Sequence, residues 1–255
     1  MPYVKRTNKP DLHYVVDDFT DPWKNAPYLI LQHGNGRSGQ FWYSWIPYLS
    51  RFYKVVRPDI RGLGLSSANF DLATEFTLEA CVDDTRALIE DLGGAPVHFC
   101  GESMGGMVGM GLAATYPQCV RTLTLVSTPV SINEKGKVTF ADKQSKEEQD
   151  RGVEAWLEAS NKSMRFPADA DPGLIEWYNA EFKKGRREVQ AAMGGLANRA
   201  NVASLLPQIK APVLGLYPSA GPLTTPEQEE ILRKAIHDLR IVHLPATYHK
   251  IQLLY

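Results

Sequence analysis

The chain has 255 residues, with 28 Lys and Arg against 29 Asp and Glu, a net charge of −1 and 44% apolar residues. That balance excludes a protein that holds nucleic acid by bulk charge attraction, and the composition excludes a disordered chain. No apolar run reaches the roughly 18 residues that a bilayer span requires. Met1 to Arg6 contains no apolar leader-like run, so a secretory signal is not expected. Cys81, Cys100 and Cys119 are odd in number and lack metal-ligand spacing, which reads as reduced thiols in a cytoplasmic protein.

In chain order, His13–Val16 is expected as an antiparallel edge strand. Tyr28–Gln32 reads as a buried strand closed by His33-Gly34-Asn35-Gly36. Phe41–Leu49 is helical and aromatic, with Pro47 as an interruption. Tyr53–Arg57 is a further strand, and Thr77 caps a helix that runs to about Leu92. Val97–Cys100 is a strand, Met104–Tyr116 a helix and Leu123–Val126 a strand. Val213–Leu216 and Ile241–Leu244 complete the set. Strands separated by helices imply an α/β fold with a mostly parallel sheet flanked by helices. The alternation breaks between Ser131 and Pro207, where Glu147–Ser160, Pro172–Lys184 and Arg187–Arg199 read as helices.

The chemistry-bearing stretch is Gly101-Glu102-Ser103-Met104-Gly105, a G-x-S-x-G between a strand and a helix. This context predicts a sharp strand-to-helix turn that exposes the Ser103 hydroxyl. Gly101 and Gly105 supply room, and the helix N-terminus aims free N–H groups at the hydroxyl. Together with His33-Gly34-Asn35-Gly36, Asp59-Ile60-Arg61-Gly62-Leu63-Gly64-Leu65-Ser66 and Leu244-Pro245-Ala246-Thr247-Tyr248-His249, the chain resembles the α/β-hydrolase fold family, in its serine hydrolase branch. The resemblance implies a core of residues 1–130 and 208–255 and an inserted helical cap, or lid, of residues 131–207.

The resemblance further implies Ser103 as nucleophile, His249 as general base, and the backbone N–H groups of Asn35 and Met104 as the oxyanion hole. His33 is expected to be structural. The family's acid position falls at Gly221, in a loop without a carboxylate. Three readings stay open: Ser219 or a carbonyl orients His249; a carboxylate such as Glu102, Glu227 or Glu134 serves; or catalysis is impaired. Trp156, Trp177 and Tyr178 suggest a pocket for a small to medium apolar substrate.

The implied reaction is cleavage of a carboxylic ester or lactone through an acyl-enzyme on Ser103. The alternatives are a C–C bond hydrolase acting beside a ketone, and a non-catalytic ligand-binding protein. No cofactor or metal is expected, and the expected partner is a small-molecule substrate, with no nucleic acid and no membrane. A homodimer is one possible assembly. The family continues from its histidine into a last helix, so with Tyr255 following so soon after His249 that helix is expected to be cut short or its face covered by a partner.

Overall fold

The computed structural model describes residues 2–132 and 157–255. Eight strands form one sheet: β1 (Tyr3–Val4), β2 (Leu12–Asp17), β3 (Tyr28–Gln32), β4 (Lys54–Pro58), β5 (Val97–Glu102), β6 (Val120–Val126), β7 (Val213–Pro218) and β8 (Leu239–Leu244). Their spatial order is β1-β2-β4-β3-β5-β6-β7-β8. The first two pairings, β1 with β2 and β2 with β4, are antiparallel, and all others are parallel. The expected edge strand around His13 therefore lies one place inside the edge, because Tyr3 and Val4 pair with it from outside.

The two-residue period of the strands divides their side chains between two cores. Ile30, Val56, Phe99 and Leu125 enter the larger one. Leu29, Leu31, Val55, Cys100 and Val126 point the other way, onto Trp42 and Ile251. Helices α1 (Leu78–Asp91) and α2 (Met104–Thr115) close the larger core. The Thr77 hydroxyl accepts from the Ala80 N–H, the cap expected for α1. The aromatic stretch after β3 divides at the interruption expected near Pro47: Gly39–Trp45 is a 3-10 helix and Ile46–Leu49 a short α-helix that takes Pro47 in its first turn.

Helices α3 (Pro172–Lys183) and α4 (Arg187–Arg199) follow where expected. A π-helical turn, Asn161–Arg165, precedes them without a sequence forecast. The start of the Glu147–Ser160 helix, with Trp156 and Glu134, lies outside the described residues. The Ser131–Asn201 bridge and the Val202 N–H to Val130 carbonyl bond join the chain at either end of this region. Helix α5 (Pro226–Ala235), also not forecast, lies between β7 and β8. After His249 the chain forms the turn Ile251–Leu254, packed on Gly39–Trp45, with Trp45 Nε1 donating to the Gln252 carbonyl.

From β3 the chain crosses to β4 on one side and returns to β5 on the other. The order in which strands are added thus reverses at β3 while the strands stay parallel, and the crevice beyond the carboxyl ends of β3 and β5 is where such sheets place ligands. Both chemistry-bearing loops leave from that point.

A Cβ on Gly105 would stand 2.4 Å from the Gln32 carbonyl oxygen and 2.5 Å from that of His33. Backbone cannot retreat cheaply, so Gly105→Ala is expected to cost about 1–3 kcal/mol or more. Urea unfolding of the variant would show it as a lowered midpoint, and an unchanged midpoint would contradict this packing.

Candidate active site

Ser103 stands between β5 and α2 with φ 54° and ψ −120°. A non-glycine residue held there stores strain of order 1–3 kcal/mol, which the surrounding packing must overcome. The turn is tight because three backbones converge on it. A Cβ on Gly101 would meet the Gly105 carbonyl carbon at 2.4 Å, and one on Gly34 would meet Glu102 Oε2 at 2.4 Å and Ser103 Cβ at 3.1 Å. The Ser103 N–H is fixed by the Val126 carbonyl at 2.9 Å.

His249 Nε2 lies 3.1 Å from Ser103 Oγ, and both residues are buried. The His249 N–H donates to the Met164 carbonyl at 2.8 Å, and the Lys250 N–H reaches the Arg165 carbonyl at 3.4 Å. Burial, reinforced by the Lys250 cation, holds the imidazole well below its ordinary value, at about 3. It is neutral at pH 7 and able to accept the hydroxyl proton. Asn35, Ser103, Met104 and His249 line one cavity of about 50 Å³ together with Arg37, Ile132, Met164, Arg165, Ala197, Leu223 and Lys250. Met104 opens α2, so its N–H is one of the donors a helix leaves unpaired.

Glu102 is 1% exposed. Its Oε1 accepts from Lys250 Nζ at 2.5 Å and lies 3.4 Å from His249 Nε2. Burial alone would raise this carboxyl, but Lys250, His249 and Arg37 outweigh it and keep it ionised. Burial draws the Lys250 ammonium down, with Arg37 adding to the effect and Glu102 opposing it.

These features coincide with sequence likeness. A family model described as alpha/beta hydrolase fold matches residues 27–164, more than half of the chain. The chain belongs to the alpha/beta hydrolase fold family. It is 30% identical over 158 residues to the putative carbamate hydrolase RutD of Stutzerimonas stutzeri, covering 62% of this chain and 57% of that protein. It is 31% identical over 124 residues to an (E)-2-((N-methylformamido)methylene)succinate hydrolase of Acinetobacter baylyi, covering 49% and 44%. Against the first of these the chain thus spans little more than half the relative's length, and against the second less than half. The enol-lactonase of Burkholderia xenovorans LB400 superposes with a TM-score of 0.86 at 28% identity, covering 99% of this chain and 95% of that one. Named hydrolases are thus among the proteins this chain resembles.

Within the hydrolase fold, several expected residues fall elsewhere. Ser219 Oγ donates to the Leu244 carbonyl at 2.7 Å and the residue is exposed, with no bond to His249. Its place on the far end of β7 turns the hydroxyl toward β8. Glu102 faces Nε2 of His249, the nitrogen turned to Ser103, so it does not occupy the acid's usual place at Nδ1. Among the described residues no carboxylate reaches Nδ1. Glu227 is exposed on the first turn of α5. His33 is structural: its Nδ1 donates to the Gly34 carbonyl at 2.8 Å and its Nε2 accepts from the Ile60 N–H at 3.0 Å.

Trp177 and Tyr178 do not line the cavity. Trp177 packs on Phe41 and Tyr43, and Tyr178 is fully buried, edge-on to Phe41 and Phe166. Their rings are large enough to build a core between α3 and the turn after β3, and that core takes them. Cations face Ser103 instead: Arg37, Arg165 and Lys250. Sequence reasoning missed all three. The available signals were adjacency, since Arg37 follows the His33–Gly36 loop and Lys250 follows His249.

Lys250→Met should leave Glu102 a buried charge without its cation and cost about 3–5 kcal/mol. The double change Glu102→Gln with Lys250→Met should recover most of that loss. Chemical denaturation of the three proteins tests this, and equal stability of the single and double variants would refute it.

Proposed function

We propose that the protein is a serine hydrolase that cleaves a carboxylic ester or lactone through an acyl-enzyme on Ser103. The carrying observation is the 3.1 Å approach of His249 Nε2 to Ser103 Oγ at a positive-φ strand-to-helix turn. That turn is the nucleophile elbow of this reading. The Ser103 proton passes to His249 Nε2 as Oγ bonds to the acyl carbon. Oxygen charge developing at that carbon is received by the N–H groups of Asn35 and Met104. The carbon–oxygen bond to the leaving group breaks, and the proton on His249 goes to the departing oxygen. Water then gives a proton to His249 as its oxygen bonds to the acyl carbon, the Oγ–acyl bond breaks, and His249 returns that proton to Ser103 Oγ.

Residues 131–207 act as the cap in this scheme, supported by Ile132, Met164, Arg165 and Ala197 on the cavity wall. Among the described residues no carboxylate lies at Nδ1, and the backbone N–H bond to Met164 together with burial holds His249 in place, so this reading takes Ser103 and His249 as the working pair. The lactone option draws on the superposed enol-lactonase. Three buried free thiols fit a cytoplasmic setting. No described helix is long and apolar enough to cross a membrane.

A fluorophosphonate probe is expected to label the wild type and to spare Ser103→Ala. Turnover of p-nitrophenyl acetate should fall by about 10³-fold or more in His249→Ala. Labelling of Ser103→Ala, or no labelling of folded wild type, would defeat the assignment.

The depressed His249 value sets the pH profile. An imidazole of ordinary pKa would be mostly protonated by pH 5, and its rate would drop by roughly tenfold or more. Here the neutral base persists far below that, so below the Lys250 value of about 7 kcat/KM for a neutral ester should hold level from pH 6 to pH 5. An acid limb centred near pH 6.5 would show that His249 is not desolvated in this way.

A further inference from the structure

We infer that the cavity beside Ser103 accepts a carboxylate, so that the ester or lactone cleaved carries an anionic arm held by Arg37 with Arg165 beside it. This rests on the serine hydrolase reading of the same site. Among the described residues lining the cavity, Arg37, Arg165 and Lys250 are cationic and none is acidic. The Glu102 carboxylate is engaged by Lys250 Nζ at 2.5 Å.

Arg37 is the telling side chain. It is 5% exposed, and its Nε meets no acceptor among the described residues. Its Nη1 donates to the Asn35 carbonyl. The guanidinium lies over three rings, 4.9 Å from the Tyr178 centroid, 5.6 Å from Phe41 and 5.7 Å from Phe182. Aromatic faces attract a cation, yet they bring no countercharge, and a buried guanidinium still favours a carboxylate that accepts two parallel N–H bonds. Arg165 shares the Tyr178 ring at 5.7 Å, with Nη1 on Ser160 Oγ at 2.5 Å. Tyr178, one of the aromatics expected to grip an apolar substrate, instead lies against two guanidinium groups.

Position makes this a substrate contact. Arg37 lies two residues beyond Asn35, the oxyanion donor, and bonds to that residue's own carbonyl. An anion seated on it would be a few bonds from the acyl carbon that Ser103 attacks. Burial holds the Arg37 guanidinium below its ordinary range, at about 10, a penalty that a bound anion reverses.

Monoethyl succinate and diethyl succinate share one acyl group and differ in one charge. The wild type should show at least tenfold higher kcat/KM for the monoanion, read by titration of released acid. Arg37→Gln should shrink that ratio tenfold or more, mainly through KM for the anion, and Arg37→Lys should retain part of it. Calorimetry should detect succinate binding to the wild type and none of succinamide. A wild type that labels with fluorophosphonate but treats both esters alike, or binds neither succinate nor succinamide, overturns the anion site and leaves the hydrolase standing. A wild type that binds succinate and fails to label supports the anion site and removes the hydrolase. Should Arg37→Gln fail to fold, the two wild-type comparisons still decide the matter.

Discussion

One residue has to reverse β5 into α2, and much of the catalytic end of the sheet follows from that demand. Ser103 takes φ 54° there, which only a rigid surrounding can impose on a side chain bearing a Cβ. The rigidity comes from α2, buried along most of its length, and from close contact between Gly101 and Gly105. Gly34 lets the loop after β3 press against Glu102 and Ser103 from the other side. The same compression brings Asn35, Met104 and Ser103 to a single cavity. Fold and chemistry therefore share one geometric origin, the crossing point between β3 and β5.

Charge burial is the second organising force. A carboxylate sealed next to Ser103 would ordinarily pick up a proton, and a sealed ammonium would lose one. Lys250 and Arg37 keep Glu102 ionised, whereas burial draws Lys250 down to about 7 against the opposing pull of Glu102; burial first, then the positive field of Lys250, Arg37 and Arg165, keeps a proton off His249. The His249 imidazole is thus kept neutral chiefly by burial, with neighbouring cations adding to it, where an acid at Nδ1 would raise its basicity. This arrangement trades proton affinity for readiness across a wide pH range.

The sheet was legible because its strands are short apolar runs punctuated by Gly, Pro or Asp. Leu29, Leu31 and Ile30 already show by alternation that both faces are covered. The approach of Ser103 and His249 was foreshadowed by two separate stretches, the G-x-S-x-G after β5 and the Leu244–His249 turn after β8. Tyr3–Val4 escaped notice since two residues carry no periodicity, and the Asn161–Arg165 turn escaped because nothing local distinguishes a π-helical turn from an α-helical one. The cationic lining was opaque for a physical reason. An Arg in a loop reads as solvated, and only tertiary packing of Phe41, Tyr178 and Phe182 around Arg37 makes it a buried charge. The same packing withdrew Trp177 and Tyr178 from the cavity. The sequence could exclude a carboxylate at position 221, but it could not show that Glu102 would turn to Nε2 and Lys250.

The backbone bonds from His249 to Met164 and from Lys250 to Arg165 splice the loop after β8 to the π-helical turn. Arg165 and His249 consequently hang from one short stretch of paired main chain. Any displacement that reseats the guanidinium also tilts the imidazole, so changes at the two positions are thermodynamically coupled and their effects will not add. Evolutionary drift in what this pocket accepts therefore has to travel with the alignment of its base.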